Sequence, residues 1–164
     1  MPHPLVTQLR FARSEFQRGL DGMTDEDAGK RLMPMNSISW MIGHLAWQEQ
    51  RYWLWRAQDK ILLPDINERY AYGQPGSTPP LAQVWEAWRT ITDAAAHWLD
   101  TLTTEKLQQP IQKDLPLIGS LLRRTTYHYW YHLGEAMAAR QMLGNPDLQD
   151  FVGDIDSLAP YQPE

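Results

Sequence analysis

A chain of 164 residues, 43% of them hydrophobic, is long enough to bury a core, and the absence of cysteine excludes disulfide frameworks, thiolate metal sites and a cysteine nucleophile. Of its net charge of −5, all is carried by the end of the chain, where Asp147, Asp150, Asp154, Asp156 and Glu164 stand without a Lys or Arg. The neutral body that is left lacks the basic stripe of a nucleic-acid binder, and no run approaches the roughly 18 apolar residues that a membrane span requires. Charges fall too early in the first fifteen residues for a secretory leader, so the cytoplasm is the expected compartment. Eight tryptophans predict an aromatic-rich core, or else a pocket or oligomer interface lined with indoles.

Four long segments read as helices, and together they predict an all-α four-helix bundle forming one domain over residues 1–164. In the first, Leu5, Leu9, Ala12, Phe16 and Leu20 recur at spacings of three and four and share a face. A shorter helical piece is expected from Thr24 to about Leu32. The second long helix opens at Asn36 and Ser37, both good N-caps, and runs to about Gln58 with Met41, Ile42, Leu45, Tyr52 and Trp55 as its apolar stripe. About twenty residues, Asp59 to Thr78, then carry Pro64, Gly73, Pro75 and Gly76. That length predicts a crossover between helices lying parallel, or a lid over a pocket.

The third helix is expected to use Thr78 as cap and Pro79 in its first turn, with Leu81, Val84, Trp88, Ile91, Ala95, Trp98 and Leu102 buried. One more turn is expected at Thr104–Leu107. The fourth long helix starts near Gly119-Ser120 and stops at Gly144-Asn145-Pro146. The acidic extension, residues 145–164, is expected either to lie over the bundle through Phe151, Ile155, Leu158 and Tyr161 or to be disordered.

The fourth helix carries a regular seam, Ile118, Leu121, Thr125, His128, His132, Glu135, Ala139 and Met142, stepping alternately by three and four as core positions of a bundle do. It aims two imidazoles and a carboxylate at the core, which is unfavourable unless partners satisfy them. Residues i and i+4 on one helical face can bind the same ion. Spacing alone leaves open a second reading, two buried histidines hydrogen-bonded to their neighbours or stacked on Tyr129 and Trp130. His44, in line with Met41 and Gln48 on the second helix, adds a third inward imidazole. His97 is expected to be solvated, and His3 carries no signal.

Three imidazoles without an obvious fourth protein ligand describe an open site with room for water or substrate. Such a donor set suits zinc, nickel, iron or copper and discriminates poorly among them; a divalent transition metal is expected, zinc or nickel first, with iron or manganese behind them. A di-iron carboxylate site is disfavoured because neither His128 nor His132 has a Glu three residues before it. A haem between His44 and one of the other two would leave the HxxxH pairing unexplained.

The stretches NSISWMIGHLAWQE (36–49) and SLLRRTTYHYWYHLGEAMAARQMLG (120–144), in this order, resemble the DinB-like (YfiT-type) family of four-helix metalloproteins. By that resemblance His44, His128 and His132 fall on the family's metal triad. Glu135 stands where the family commonly has glutamine. It is the one catalytic candidate, as an acceptor that orients His132 or as a general base; the alternative is a surface glutamate paired with Arg140 or Arg124. The resemblance implies a metal-dependent enzyme such as an S-transferase using a low-molecular-weight thiol (bacillithiol, mycothiol or glutathione) on a small-molecule substrate. It also implies a homodimer. A metal-dependent hydrolase is an alternative, and so is a non-catalytic dimeric module that binds a ligand or partner through Trp47, Trp53 and Trp85.

Overall fold

The structure, a computed structural model, describes residues 1–146, 148–150 and 152–163. It is all-α, and among the described residues the only bridge of β type is the isolated pair Pro110 and Leu117.

Helix α1 (Pro4–Gly19) has Pro4 in its first turn and His3 as cap, whose Nδ1 accepts from the amide of Leu5 at 3.2 Å. His3 therefore has a structural use that the sequence did not signal. Leu9, Ala12 and Phe16 are buried as expected. Short α2 (Asp25–Gly29) is capped by Thr24. Helix α3 (Ile38–Glu49) is capped by Ser37, whose hydroxyl accepts from Trp40 N at 3.1 Å, and every residue in it is buried. A helix covered on all sides is the centre of its bundle.

Beyond Glu49 the same helix continues as a π-helical stretch, Gln50–Arg56, and not as the regular α-helix expected to reach Gln58. The wider turns shift the phase of the buried face, so that Tyr52, Trp53 and Leu54 go inward while Trp55 turns out to 42% exposure. They also bring Arg51 and Arg56, five residues apart, over the ring of Tyr52.

The long connection contains a helix of its own, α4 (Pro64–Tyr70). Helix α5 spans Leu81–Asp100, and Thr78 does not cap it: the first free amide, Leu81 N, donates to Asp25 Oδ1 of α2 at 2.6 Å. A cap from a remote carboxylate satisfies the same orphan donor that a local hydroxyl would. Helix α6 (Thr104–Leu107) and helix α7 (Ile118–Met142) follow, with α7 ended by Gly144 in the left-handed conformation (φ +74°). Helix α8 (Ile155–Leu158) belongs to the acidic extension.

Helix α1 packs on α7, while α3 packs on α5 and also meets α7. A buried polar network ties all four together. Arg13 of α1 forks onto both oxygens of Glu49 on α3, at 2.8 and 2.6 Å. The hydroxyl of Tyr129 on α7 donates to Glu49 Oε1 at 2.8 Å and accepts from Trp88 Nε1 of α5 at 2.7 Å. Burial and the adjacent Glu49 carboxylate push the phenol of Tyr129 well above its usual range, so the hydroxyl stays a donor.

The seam expected on α7 is displaced from His128 onward. Ile118, Leu121, Thr125, His132 and Ala139 are buried, but Tyr129, Ala136 and Arg140 take the centre where His128, Glu135 and Met142 were expected. His128 and Glu135 are half-buried on the flank, and Met142 is 67% exposed. The reason is that a straight helix of 3.6 residues per turn drifts by about 20° per heptad from a 3.5-residue seam.

The tail also docks differently from expectation. Ile155, Leu158 and Tyr161 are exposed, and Phe151 lies outside the described residues, as do Asp147 and Glu164. Polar contacts attach it to α1: Arg18 donates to Gln149 Oε1 and to Asp150 O, Gly153 N donates to Glu15 Oε2, and Gln8 Nε2 donates to the carbonyl of buried Ala159.

Candidate metal centre

Helix α3 supplies one imidazole and α7 two. The rings of His44 and His128 are 5.0 Å apart by centroid, those of His44 and His132 5.4 Å, and those of His128 and His132 4.5 Å. One nitrogen from each lies within 4.8 Å of the others, and Nε2 of His128 is 2.9 Å from Nε2 of His132. All three sequence-derived candidates thus converge, while His97 lies on the exposed side of α5.

His44 sits between two indoles of its own helix, with Trp40 stacked on it at 4.8 Å and Trp47 at 5.2 Å. Burial pushes its pKa down to about 4, only partly opposed by the hydrogen bond to Tyr70. Burial likewise pushes His128 down to about 3, helped by His132 and His44 nearby. Both rings are therefore neutral near pH 7, the form in which imidazole donates a lone pair to an ion.

Two of the rings are held from behind. His44 Nδ1 donates to the carbonyl of Tyr70 at 2.6 Å, which makes Nε2 the lone-pair nitrogen. His132 Nδ1 donates to Glu135 Oε2 at 2.7 Å, again leaving Nε2 facing the cluster. Glu135 is consequently an orienting acceptor, paired neither with Arg140, which reaches Gly19 O, nor with Arg124. The hydrogen bond from His132 holds its carboxyl below the usual carboxylate range. Nitrogen donors fixed through Nδ1 and aimed by Nε2 are the arrangement that metal-binding histidines show, so the residues present fit a divalent ion.

The cluster forms the floor of an open cleft of about 480 Å³, walled by Asn36, Trp40 and Tyr131 and rimmed by Tyr72, Gly73 and Gln74. The rim comes from the long connection after α4, so that segment does border a pocket. No Lys or Arg lines the cleft.

Sequence reasoning missed Tyr70, because a backbone carbonyl has no side-chain signature. It missed the Arg13–Glu49–Tyr129 network too, although Arg13 interrupts the stripe of Leu9 and Phe16, and Glu49 follows Leu45 by one turn. Charged residues at core spacing were the available signal. Tyr129, off the expected seam of α7, is fully buried.

An all-α chain with three imidazoles from two bundle helices at the base of a cleft defines a class of helical-bundle proteins with an open three-histidine site. The model of the DinB superfamily matches residues 8–136, about four-fifths of the chain, and the chain belongs to that superfamily. A comparison with curated proteins found no match.

Proposed function

We propose that the chain binds a divalent transition metal through His44, His128 and His132 and acts as a metal-dependent enzyme on a small-molecule substrate, as a low-molecular-weight-thiol S-transferase. The observation that carries the reading is the anchoring of His44 and His132 through Nδ1, which leaves their Nε2 lone pairs converging beside His128 at the floor of the cleft. A donor set of imidazoles alone, with the carboxylate of Glu135 turned to Nδ1 of His132, favours zinc or nickel over iron or manganese. When bound, such an ion lowers the pKa of a coordinated thiol and holds it as thiolate.

The chain's own part is to keep His44 and His128 neutral by burial, to orient His132 through Glu135, and to offer the substrate a cleft wall of indole, phenol and carboxamide groups free of Lys and Arg. Lacking a cysteine, the chain relies on a thiol from solution. The non-catalytic alternative loses support, because Trp47 and Trp53 are buried and Trp85 is half-buried, so they offer no open aromatic face. The tryptophan count no longer favours a homodimer either, since seven of the eight are buried or half-buried within one chain. The homodimer now rests on family resemblance, and light scattering at micromolar concentration tests it. Among the described residues no helix is long and apolar enough to cross a membrane; a cytoplasmic setting is part of the proposal.

The test is elemental analysis of untagged protein after loading with zinc or nickel, followed by a panel of small thiols with electrophiles. About one equivalent of metal, and a thiol-dependent rate lost in His128→Ala, are expected. Less than about a tenth of an equivalent would overturn the metal reading. A thiol-independent rate on esters or amides would replace transfer by hydrolysis.

A further inference from the structure

His44 and His132 each have an acceptor behind Nδ1, but His128 has none: its Nδ1 is buried and reaches no partner. Among the described residues the other buried side-chain atoms in that condition are Trp40 Nε1, Trp53 Nε1, Arg140 Nε and Gln48 Oε1. The first three are donors. Gln48 Oε1 is the one obligate acceptor, on a side chain only 7% exposed.

Two contacts between α3 and α7 bracket Gln48 and His128. One turn before Gln48, the ring of His44 lies 5.0 Å from the ring of His128. One residue after it, Glu49 accepts from Tyr129, the neighbour of His128. An unpartnered acceptor and an unpartnered imidazole nitrogen thus occupy the same stretch of the helix interface.

The contacts of the neighbouring ring nitrogens assign the tautomers of the helix pair. In the neutral ring, His132 carries its proton on Nδ1 for Glu135 and its Nε2 is a bare acceptor. The 2.9 Å contact between the two Nε2 atoms then requires the proton of His128 on Nε2. Its Nδ1 is left bare, and a bare nitrogen has nothing to offer a carboxamide oxygen.

We propose that His128 switches tautomer when a cation occupies the cluster, its proton moving from Nε2 to Nδ1, and that Gln48 Oε1 accepts that Nδ1–H, directly or through one buried water. The ring stays neutral throughout: water takes the Nε2 proton and returns one to Nδ1. The consequence for metal binding rests on the function proposed above, and Gln48 becomes the positioning residue of the third ligand, as Tyr70 and Glu135 are for the other two. In the metal-free protein the His128–His132 hydrogen bond holds the two nitrogens in place.

The experiment is zinc titration of the full chain, read by competition with a chromophoric chelator and by nitrogen-15 NMR of the histidine rings. Wild type is expected to pass from Nε2–H to Nδ1–H at His128 as zinc binds, with a slowly exchanging Nδ1–H resonance near the Gln48 side chain. Gln48→Met, similar in volume, is expected to weaken zinc binding by about 10–100-fold, and Gln48→Glu, which keeps an acceptor, to bind as tightly as wild type or tighter. Unchanged affinity in Gln48→Met, or a His128 Nδ1–H that exchanges freely in zinc-loaded wild type, would overturn the proposal while leaving the metal site intact. Should Gln48→Met fail to fold, the wild-type resonance decides. Failure of wild type to bind zinc at all would instead overturn the metal reading, and the switch with it.

Discussion

Tyr70 lays its ring on Gly43, where a Cβ would stand 2.8 Å from the ring carbons, and places its carbonyl 2.6 Å from Nδ1 of His44, the next residue along α3. A glycine inside a helix is unfavourable by about 1 kcal/mol relative to alanine, so its presence here needs a reason. Close approach of α4 is that reason: the missing side chain lets the connection orient a candidate ligand.

Gly43→Ala should therefore separate helix stability from metal affinity. Alanine favours the helix, but the ring of Tyr70 must move and its carbonyl with it. Zinc affinity is expected to fall by about 10–100-fold with helical content by circular dichroism unchanged. Wild-type affinity in this variant would show that His44 does not need the carbonyl.

Glu135→Ala removes the acceptor behind His132 and is expected to weaken metal binding by a similar factor, about 10–100-fold. Glu135→Gln keeps an oxygen acceptor at the same reach and should lose much less. Equal losses in the two variants, by the same chelator competition, would indicate that the carboxylate charge matters and not the hydrogen bond.

Loss of Arg13 leaves Glu49 as a buried carboxylate short of its counter-ion. Arg13→Met is expected to cost about 3–5 kcal/mol of unfolding free energy in urea. Adding Glu49→Gln to it should cost less than the sum of the two single changes, since they share one interaction. Strict additivity would mean that the pair is not coupled.

The metal-free protein should lose stability on acidification. His44 and His128 have folded pKa values lowered to about 4 and about 3, below the ordinary 6.5, so the unfolded chain takes up protons first as pH falls. Their contribution is complete above pH 6.5 and is lost progressively as pH drops toward 4 and then 3. Urea midpoints at pH 7 and pH 5 check the direction: the midpoint should be lower at pH 5, and the decrease smaller in His128→Gln. A midpoint that rises on acidification would contradict the assignment.

The sequence by itself determined the four long helices, their order and the identity of the three clustered histidines. Each is written in local chemistry: apolar spacing in α1, α5 and α7, Ser37 as a cap, Gly144 as a stop, and an HxxxH pair one turn apart. It also marked Glu135, because a residue three beyond His132 on one helix must lie near it.

What only the tertiary structure decided is everything that depends on a remote segment. The cap of α5 comes from Asp25, the acceptor for His44 from a backbone carbonyl in the long connection, and the partners of buried Arg13 from α3 and α7, through Glu49 and Tyr129. The buried face after Glu49 follows from π-helical turns that no side-chain periodicity announced, and the centre of α7 shifted to Tyr129 because helix geometry drifts from a heptad seam. Local pattern sets which groups can point inward. Which of them find a partner is fixed only when the helices pack, because hydrogen bonds and burial join residues far apart in the chain.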